Sequence, residues 1–100
     1  MARTFFPELS ETVPASAPHP EGTEYKVSIG LEDWGDEEYE PVVKVQMRYG
    51  GNVAGRKPPS YPLGTDDFMR VQDAVDRLMQ QRYENVVNEQ KQGYASDGED

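Results

Sequence analysis

The side chains best suited to chemistry are concentrated in one acidic segment, Glu32 to Glu40, in which six of nine residues are carboxylic acids. It lacks the D-x-[DN]-x-[DN]-G spacing of a calcium loop, because Trp34 and Gly35 follow Asp33. The sequence identifies no base and no pocket near this segment, so it does not indicate a pair of catalytic carboxylates. Aromatic residues surrounded by charge are typical of protein interfaces. We therefore predict either a solvated turn with Trp34 folded against the core or a protein-binding loop that comprises Asp33, Trp34, Asp36, Glu37, Glu38 and Tyr39.

The other reactive residue types show no catalytic or cofactor pattern. The chain has no cysteine, which excludes thiol catalysis, disulfides and thiolate zinc sites. Its one histidine, His19, lies between two prolines in a segment with no acid or nucleophile fixed beside it. The serines lack the glycine pattern of a nucleophile elbow, and Gly50, Gly51 and Gly55 do not form a phosphate-binding loop. The sequence therefore predicts a protein that is not an enzyme and that has no metal or cofactor.

Basic residues cluster on the outer face of the predicted sheet, where Arg56 and Lys57 join Lys26, Lys44 and Arg48. In the order of its elements this arrangement resembles part of a double-stranded-RNA-binding domain. Such domains place lysines at the start of the helix to bind phosphate, whereas this chain has Asp66 and Asp67 there. We therefore predict no direct contact with nucleic acid, and we expect the bases to pair with acids on a neighbouring strand or loop.

Composition limits the chain to one small domain. It has 100 residues and a net charge of −9 at pH 7. Hydrophobic residues make up 35% of the chain, and aromatic residues make up 10% of it. The acidic excess is the wrong sign for a general nucleic-acid binder. The aromatic content favours a compact core with polar ends over a disordered chain. The absence of a signal peptide, of an apolar run near the roughly 20 residues of a membrane span and of cysteine predicts a cytoplasmic protein.

Alternating hydrophobicity predicts two long strands, from Glu24 to Glu32 and from Pro41 to Tyr49. Their apolar faces comprise Tyr25, Val27, Ile29 and Leu31 in the first strand and Val43, Val45, Met47 and Tyr49 in the second. Gly50 and Gly51 supply the positive φ angles of a tight hairpin. A short third strand is expected at about Val53 to Lys57, where Pro58 ends it.

A helical period follows over residues 65–91. Thr65 is a suitable cap, Asp66 and Asp67 favour the positive end of the helix dipole, and Gly93 is a suitable end. The apolar stripe comprises Phe68, Val71, Val75, Leu78, Met79 and Val86, with Ala74 and Tyr83 at its borders. The predicted core comprises Val27, Ile29, Leu31, Val43, Val45, Met47, Phe68, Val71, Val75 and Leu78.

The predicted architecture is α+β: a three-stranded antiparallel β-meander packed against one long C-terminal α-helix, with a Pro-rich N-terminal arm. Residues 1–23 are predicted to form this extended arm, because four prolines within it restrict φ and remove donors. Its apolar residues Phe5, Phe6 and Leu9 are expected to dock on the sheet edge or on another molecule. Residues 24–92 form the β-β-β-α domain, and residues 93–100 are predicted to be a disordered acidic tail.

The predicted helix is longer than the predicted strands, and this difference favours association of the chain with a second copy. A helix of about 26 residues spans about 39 Å, whereas strands of about eight residues span about 26 Å. Tyr83, Val86 and Val87 should therefore overhang the sheet, and either fray or form a homodimer through the C-terminal half of the helix.

The functional prediction is a small acidic non-catalytic protein that binds another protein through the acidic loop and the outer helix surface. The alternative is a nucleic-acid mimic, of phage anti-defence type, that inhibits a basic DNA- or RNA-handling enzyme.

Overall fold

A computed structural model describes residues 4–35 and 37–97, with side chains through residue 91. One antiparallel sheet has the order β1-β2-β3-β4, and a single helix follows it in sequence. The bounds are β1 (Phe5–Pro14), β2 (Glu24–Asp33), β3 (Tyr39–Tyr49), β4 (Asn52–Ala54) and α1 (Asp67–Asp97). The predicted α+β class, an antiparallel sheet packed on one C-terminal helix, is confirmed. The sheet has four strands rather than the predicted three.

The central β2–β3 hairpin follows the alternation of the sequence. Its register extends from Glu24 opposite Arg48 to Asp33 opposite Tyr39, without a break. Tyr25, Val27 and Met47, from the predicted inward faces, are fully buried. The strands are longer than predicted, at ten and eleven residues.

The second hairpin turns where the glycines predict it. Gly50 and Gly51 have φ angles of 57° and 87°, and they join Tyr49 of β3 to Asn52 of β4. β4 is shorter than predicted. Lys57 N–H donates to the Ala54 carbonyl oxygen at 3.3 Å, and this turn ends the strand after three residues.

The N-terminal segment is the main correction to the predicted fold. Residues 5–14, expected in an extended arm, form β1 and pair with β2 from Phe5 opposite Glu32 to Pro14 opposite Glu24. The register shifts between Pro7 and Leu9, so that Glu8 has no partner residue on β2. Prolines are tolerated here because β1 is an edge strand, where a missing N–H at a bulge or strand end costs little.

The helix is also longer than predicted. It begins at Asp67, close to the predicted cap, and continues through Gly93 to Asp97. A glycine inside a helix costs about 1 kcal/mol, and no proline follows to end the helix there. The predicted disordered tail therefore overlaps the helix at residues 93–97, and residues 98–100 lie outside the described part of the chain.

The helix packs over β1 and β2 through Val71, Ala74 and Leu78, all of which are buried. This placement corrects the predicted core. Val43 and Phe68 are 45% and 55% exposed instead of buried, and Leu31, Val45 and Val75 are only half-buried. The remaining buried apolar residues are Val13, Tyr25, Val27, Ile29 and Met47. Among the described residues, no helix has the length and apolar character required to cross a membrane.

Candidate protein-binding surface

The acidic loop between β2 and β3 has a defined backbone. Trp34 N–H donates to the Glu38 carbonyl oxygen at 2.8 Å, and Glu38 N–H donates to the Gly35 carbonyl oxygen at 3.0 Å. Gly35 N–H donates to the Asp33 carboxylate at 2.8 Å. Positive φ angles at Gly35 (116°) and Glu37 (62°) complete the turn. Asp33, Trp34, Gly35 and Glu38 are therefore linked by hydrogen bonds within the loop.

The predicted loop residues that the structure describes lie together at one end of the sheet. Trp34 is 49% exposed and Tyr39 is 43% exposed. Glu37 and Glu38 are exposed, whereas Asp33 is half-buried; Asp36 lies outside the described residues. The Tyr39 ring contacts Phe6 of β1, with 5.8 Å between the ring centroids. This end of the sheet thus presents aromatic surface beside carboxylates.

An apolar groove lies next to this end of the sheet, between β3 and the second half of the helix. Its volume is about 460 Å³, and it is lined by Ile29, Pro41, Val43, Met79, Arg82, Tyr83 and Val86. Met79 is 55% exposed and Tyr83 is 65% exposed. The sequence placed Met79 and Tyr83 only on the apolar stripe of the helix, with Tyr83 expected to overhang the sheet.

Two ion pairs join the helix to β1, beside the buried contacts of Val71, Ala74 and Leu78. Arg77 pairs with Glu11 at 2.6 Å, and Arg82 pairs with Glu8 at 3.2 Å. Both acids lie on the edge strand, so the helix is held over β1 and β2, and the helix-facing surface of β3 stays partly uncovered. Tyr83 and Val86 do not overhang the sheet as predicted; they lie beside Pro41 and Val43, because the strands are longer than eight residues.

Two basic residues of the opposite sheet face, Lys44 and Arg48, are paired with acids within the chain. Lys44 of β3 pairs with Glu32 of β2 at 3.0 Å, and Arg48 of β3 pairs with Glu24 of β2. The predicted pairing of bases with acids on the neighbouring strand is confirmed for these two residues. Lys57 lies over the Tyr49 ring, 5.3 Å from its centroid.

A buried carboxylate joins the sheet to the start of the helix. Asp67 is fully buried and accepts hydrogen bonds from Ser16 N–H (2.9 Å), the Ser16 hydroxyl (2.6 Å) and Arg70 Nη2 (2.6 Å). The Tyr25 hydroxyl lies 2.8 Å from the same carboxylate. Burial alone raises the pKa of Asp67, but the hydrogen bonds from Ser16 and Tyr25 and the charge of Arg70 outweigh it and lower the pKa to about 2. The donors all come from the chain itself, so this network is structural.

His19, predicted to lie in the extended N-terminal arm, instead contacts the same region of the structure. Its Nε2 lies 2.8 Å from the Ser60 carbonyl oxygen and therefore donates to it. The ring packs edge-on against Tyr25, with 5.8 Å between centroids. Over the described ranges, no group of three histidine, cysteine, aspartate or glutamate residues is placed to hold a metal ion.

Comparison with models of known protein families, with curated proteins and with solved structures found no match to this chain.

Proposed function

We propose that this chain is a small non-catalytic protein-binding module whose binding surface combines the apolar groove with the acidic loop. The observation that carries the proposal is the exposure around the groove. Val43, Met79 and Tyr83 keep 45%, 55% and 65% of their surface exposed around one concavity, in a chain of net charge −9. Contiguous exposed apolar surface on a small polar domain is typical of an interaction site.

The position of the groove indicates the chemistry of the partner. Pro41, in the groove floor, is two residues from Tyr39 of the loop, so the apolar and acidic surfaces are continuous. A partner segment that fits both has apolar side chains for the groove and basic side chains next to them. Opposite charge across such an interface increases the association rate and suppresses wrong partners.

The groove lining supports binding rather than catalysis. Arg82 is the charged residue in that lining, and its guanidinium is paired with Glu8. Acid–base catalysis needs a titratable side chain within hydrogen-bond reach of the reacting atom, with a pKa near the working pH. The side chains that line the groove supply no carboxylate, imidazole or amine for that role.

The alternative function, a nucleic-acid mimic, would rely on a smaller set of free carboxylates. A mimic needs free carboxylates spaced as phosphates are, but many acids here pair with bases of the same chain. The paired acids are Glu8, Glu11, Glu24, Glu32, Asp66 and Asp67. A mimic would therefore depend on the exposed loop acids, such as Glu37 and Glu38, together with those on the outer helix surface.

A matched pair of methionine variants tests the proposal. Met79→Glu places a charge in the groove, whereas Met69→Glu places the same charge at a site that is 64% exposed and outside the groove lining. A partner captured from a cell extract is purified, and its affinity is measured by calorimetry. We expect Met79→Glu to weaken binding at least tenfold and Met69→Glu to leave it within threefold.

A loop variant separates the two functions. The triple variant Asp33→Asn, Glu37→Gln and Glu38→Gln removes loop charge but keeps the shapes of the side chains. For a groove-binding partner we expect a moderate loss of affinity and a weaker dependence on salt. Binding that survives Met79→Glu but is abolished by the loop variant and by high salt would contradict the groove proposal and support the mimic.

A further inference from the structure

Most of one edge of β3 has no neighbouring strand. β3 runs from Tyr39 to Tyr49, but β4 pairs only with Met47, Arg48 and Tyr49. Within the described residues, no strand pairs with residues 39–46 on the side away from β2. An unpaired edge of this length is a template for pairing with another strand.

The backbone groups at this edge follow from the hairpin geometry. Successive residues of an antiparallel strand point their N–H and C=O groups to opposite sides. Tyr49 pairs with β4 directly beside the two-residue turn, so odd-numbered residues of β3 point these groups away from β2. Beyond the end of β4, Tyr39, Val43 and Val45 therefore present both N–H and C=O to the open edge, and Pro41 presents its C=O.

The charges along the edge are uneven. Glu40 lies opposite Glu32 of β2, and the two acids share the sheet face that points away from the helix. Lys44 neutralises Glu32 at 3.0 Å, but Glu40 is exposed and takes part in none of the ion pairs of the described chain. Like charges directly opposite each other destabilise a sheet, so a further cation beside Glu40 would be stabilising.

We propose that this edge pairs with the same edge of a second copy of the chain, antiparallel and with the two-fold axis at Val42. In this register Glu40 lies opposite Lys44 of the second copy, twice, so that each Lys44 turns from Glu32 of its own chain towards Glu40 across the edge. Tyr39 lies opposite Val45. Three N–H donors from each copy give about six hydrogen bonds across the edge. A shift of two residues in either direction loses the Glu40–Lys44 match.

The fold leaves room for this pairing. The chain turns back at Ala54–Lys57, and a cavity of about 340 Å³ lies between that turn and residues 44–46. Pairing also covers Tyr39 and Val43, which are 43% and 45% exposed. Because Val43 is in the groove floor, the grooves of the two copies join into one apolar surface between two helices. The pairing rests on the strand edge and does not depend on the proposed function.

A single cysteine tests the register directly, because the chain has no other thiol. At Val42, the proposed pair brings the two Cα atoms to about 4.5 Å, which a disulfide accommodates. Gln46→Cys is the matched control on the same strand and face, since its counterpart would lie about 26 Å away. Under mild oxidation at micromolar concentration, we expect Val42→Cys to form a covalent dimer at least tenfold faster than Gln46→Cys. Equal rates would overturn the register.

A charge variant tests the pairing without a thiol. Glu40→Lys places like charges opposite each other twice across the proposed edge, whereas Glu21→Lys makes the same charge change in the exposed β1–β2 loop. By sedimentation equilibrium in about 0.15 M salt, we expect Glu40→Lys to raise the dimer dissociation constant at least tenfold and Glu21→Lys to change it less than threefold. A parent chain that is monomeric up to millimolar concentration, or a dimer insensitive to Glu40→Lys, would overturn the proposal.

Discussion

The Tyr25 hydroxyl lies 2.8 Å from a carboxylate oxygen of Asp67, so a residue of β2 contacts the first residue of the helix. The Asp67 carboxylate also accepts hydrogen bonds from Arg70 of the helix and from Ser16 of the β1–β2 loop. The Tyr25 ring stacks on Tyr61, with 5.0 Å between centroids. A buried charge is tolerated only while it is paired, so this network determines where the helix begins on the sheet.

Removal of the Tyr25 hydroxyl should destabilise the domain without changing its shape. Tyr25→Phe leaves the buried Asp67 carboxylate with one donor fewer and removes the 2.7 Å contact to the Ser60 carbonyl oxygen. A buried polar group without its partner costs about 1–3 kcal/mol, and we expect this loss in urea unfolding. Tyr83→Phe, at a side chain that is 65% exposed, is the control and should change the free energy of unfolding by less than about 0.5 kcal/mol. Equal stability of the two variants would contradict the role of the network.

Asp67 should also make stability depend on acid pH. Its pKa is about 2 in the folded chain, against an ordinary value of 3.8. Because folding lowers this pKa, its contribution is fully present above about pH 4 and is lost as the pH falls towards 2. Asp67→Asn removes the charge that Ser16, Tyr25 and Arg70 stabilise, while Arg70 keeps its ion pair with Asp66. The variant should therefore cost about 2 kcal/mol at pH 7. In urea unfolding from pH 6 to pH 2, we expect the difference between parent and variant to narrow only below about pH 4; a constant difference would contradict the assignment.

The elements with strong local signals could be predicted from the sequence. β2 and β3 were predicted from strict alternation, the second hairpin from Gly50 and Gly51, and the start of the helix from Thr65 and two aspartates. β1 could not be predicted in this way, because Pro7 and Pro14 argue against a strand. At a sheet edge these prolines are tolerated, and only the pairing with β2 shows that the segment is at an edge.

The contribution of β1 to the core can be tested at Val13, which is 5% exposed. Val13→Asp buries an unpaired charge and should destabilise the domain by several kcal/mol, on the order of 3 or more. Thr12→Asp is the matched control, because Thr12 is exposed on the opposite side of the same strand. Thermal unfolding followed by circular dichroism compares the two. If Val13→Asp unfolds at the same temperature as Thr12→Asp, residues 5–14 are an arm and not part of the sheet.

The candidate site shows the same division between local and long-range signals. The acidic loop could be predicted, since its carboxylates and aromatic residues are contiguous in sequence. The groove could not, because it depends on which strands the helix covers. That placement involves contacts between residues far apart in sequence. They include the buried packing of Val71 and Leu78 over β1 and β2 and the ion pairs of Arg77 with Glu11 and of Arg82 with Glu8, 66 and 74 residues away. Helical periodicity shows that a face is apolar but not which part of it a strand will cover.

The irregularity in β1 connects the sheet to one of these helix contacts. Glu8 is the residue without a partner on β2, and its side chain pairs with Arg82 of the helix. Bulges commonly redirect a side chain in this way. The backbone of β1 approaches Gly30 of β2 closely at this point. A Cβ atom at Gly30 would overlap the Phe6 carbonyl oxygen and lie 2.7 Å from Pro7 Cα.

Gly30→Ala should therefore displace β1. The atoms that it meets belong to the backbone, which cannot rotate away as a side chain does, so we expect a loss of about 1–3 kcal/mol in urea unfolding. Gly55→Ala is the control, since a Cβ there meets nothing within 4 Å. Combining each glycine variant with Arg82→Ala tests the link to the helix. If the bulge positions Glu8, Arg82→Ala should cost less in the Gly30→Ala background than in the Gly55→Ala background; an equal cost in both would show that the Glu8–Arg82 pair forms independently of the bulge.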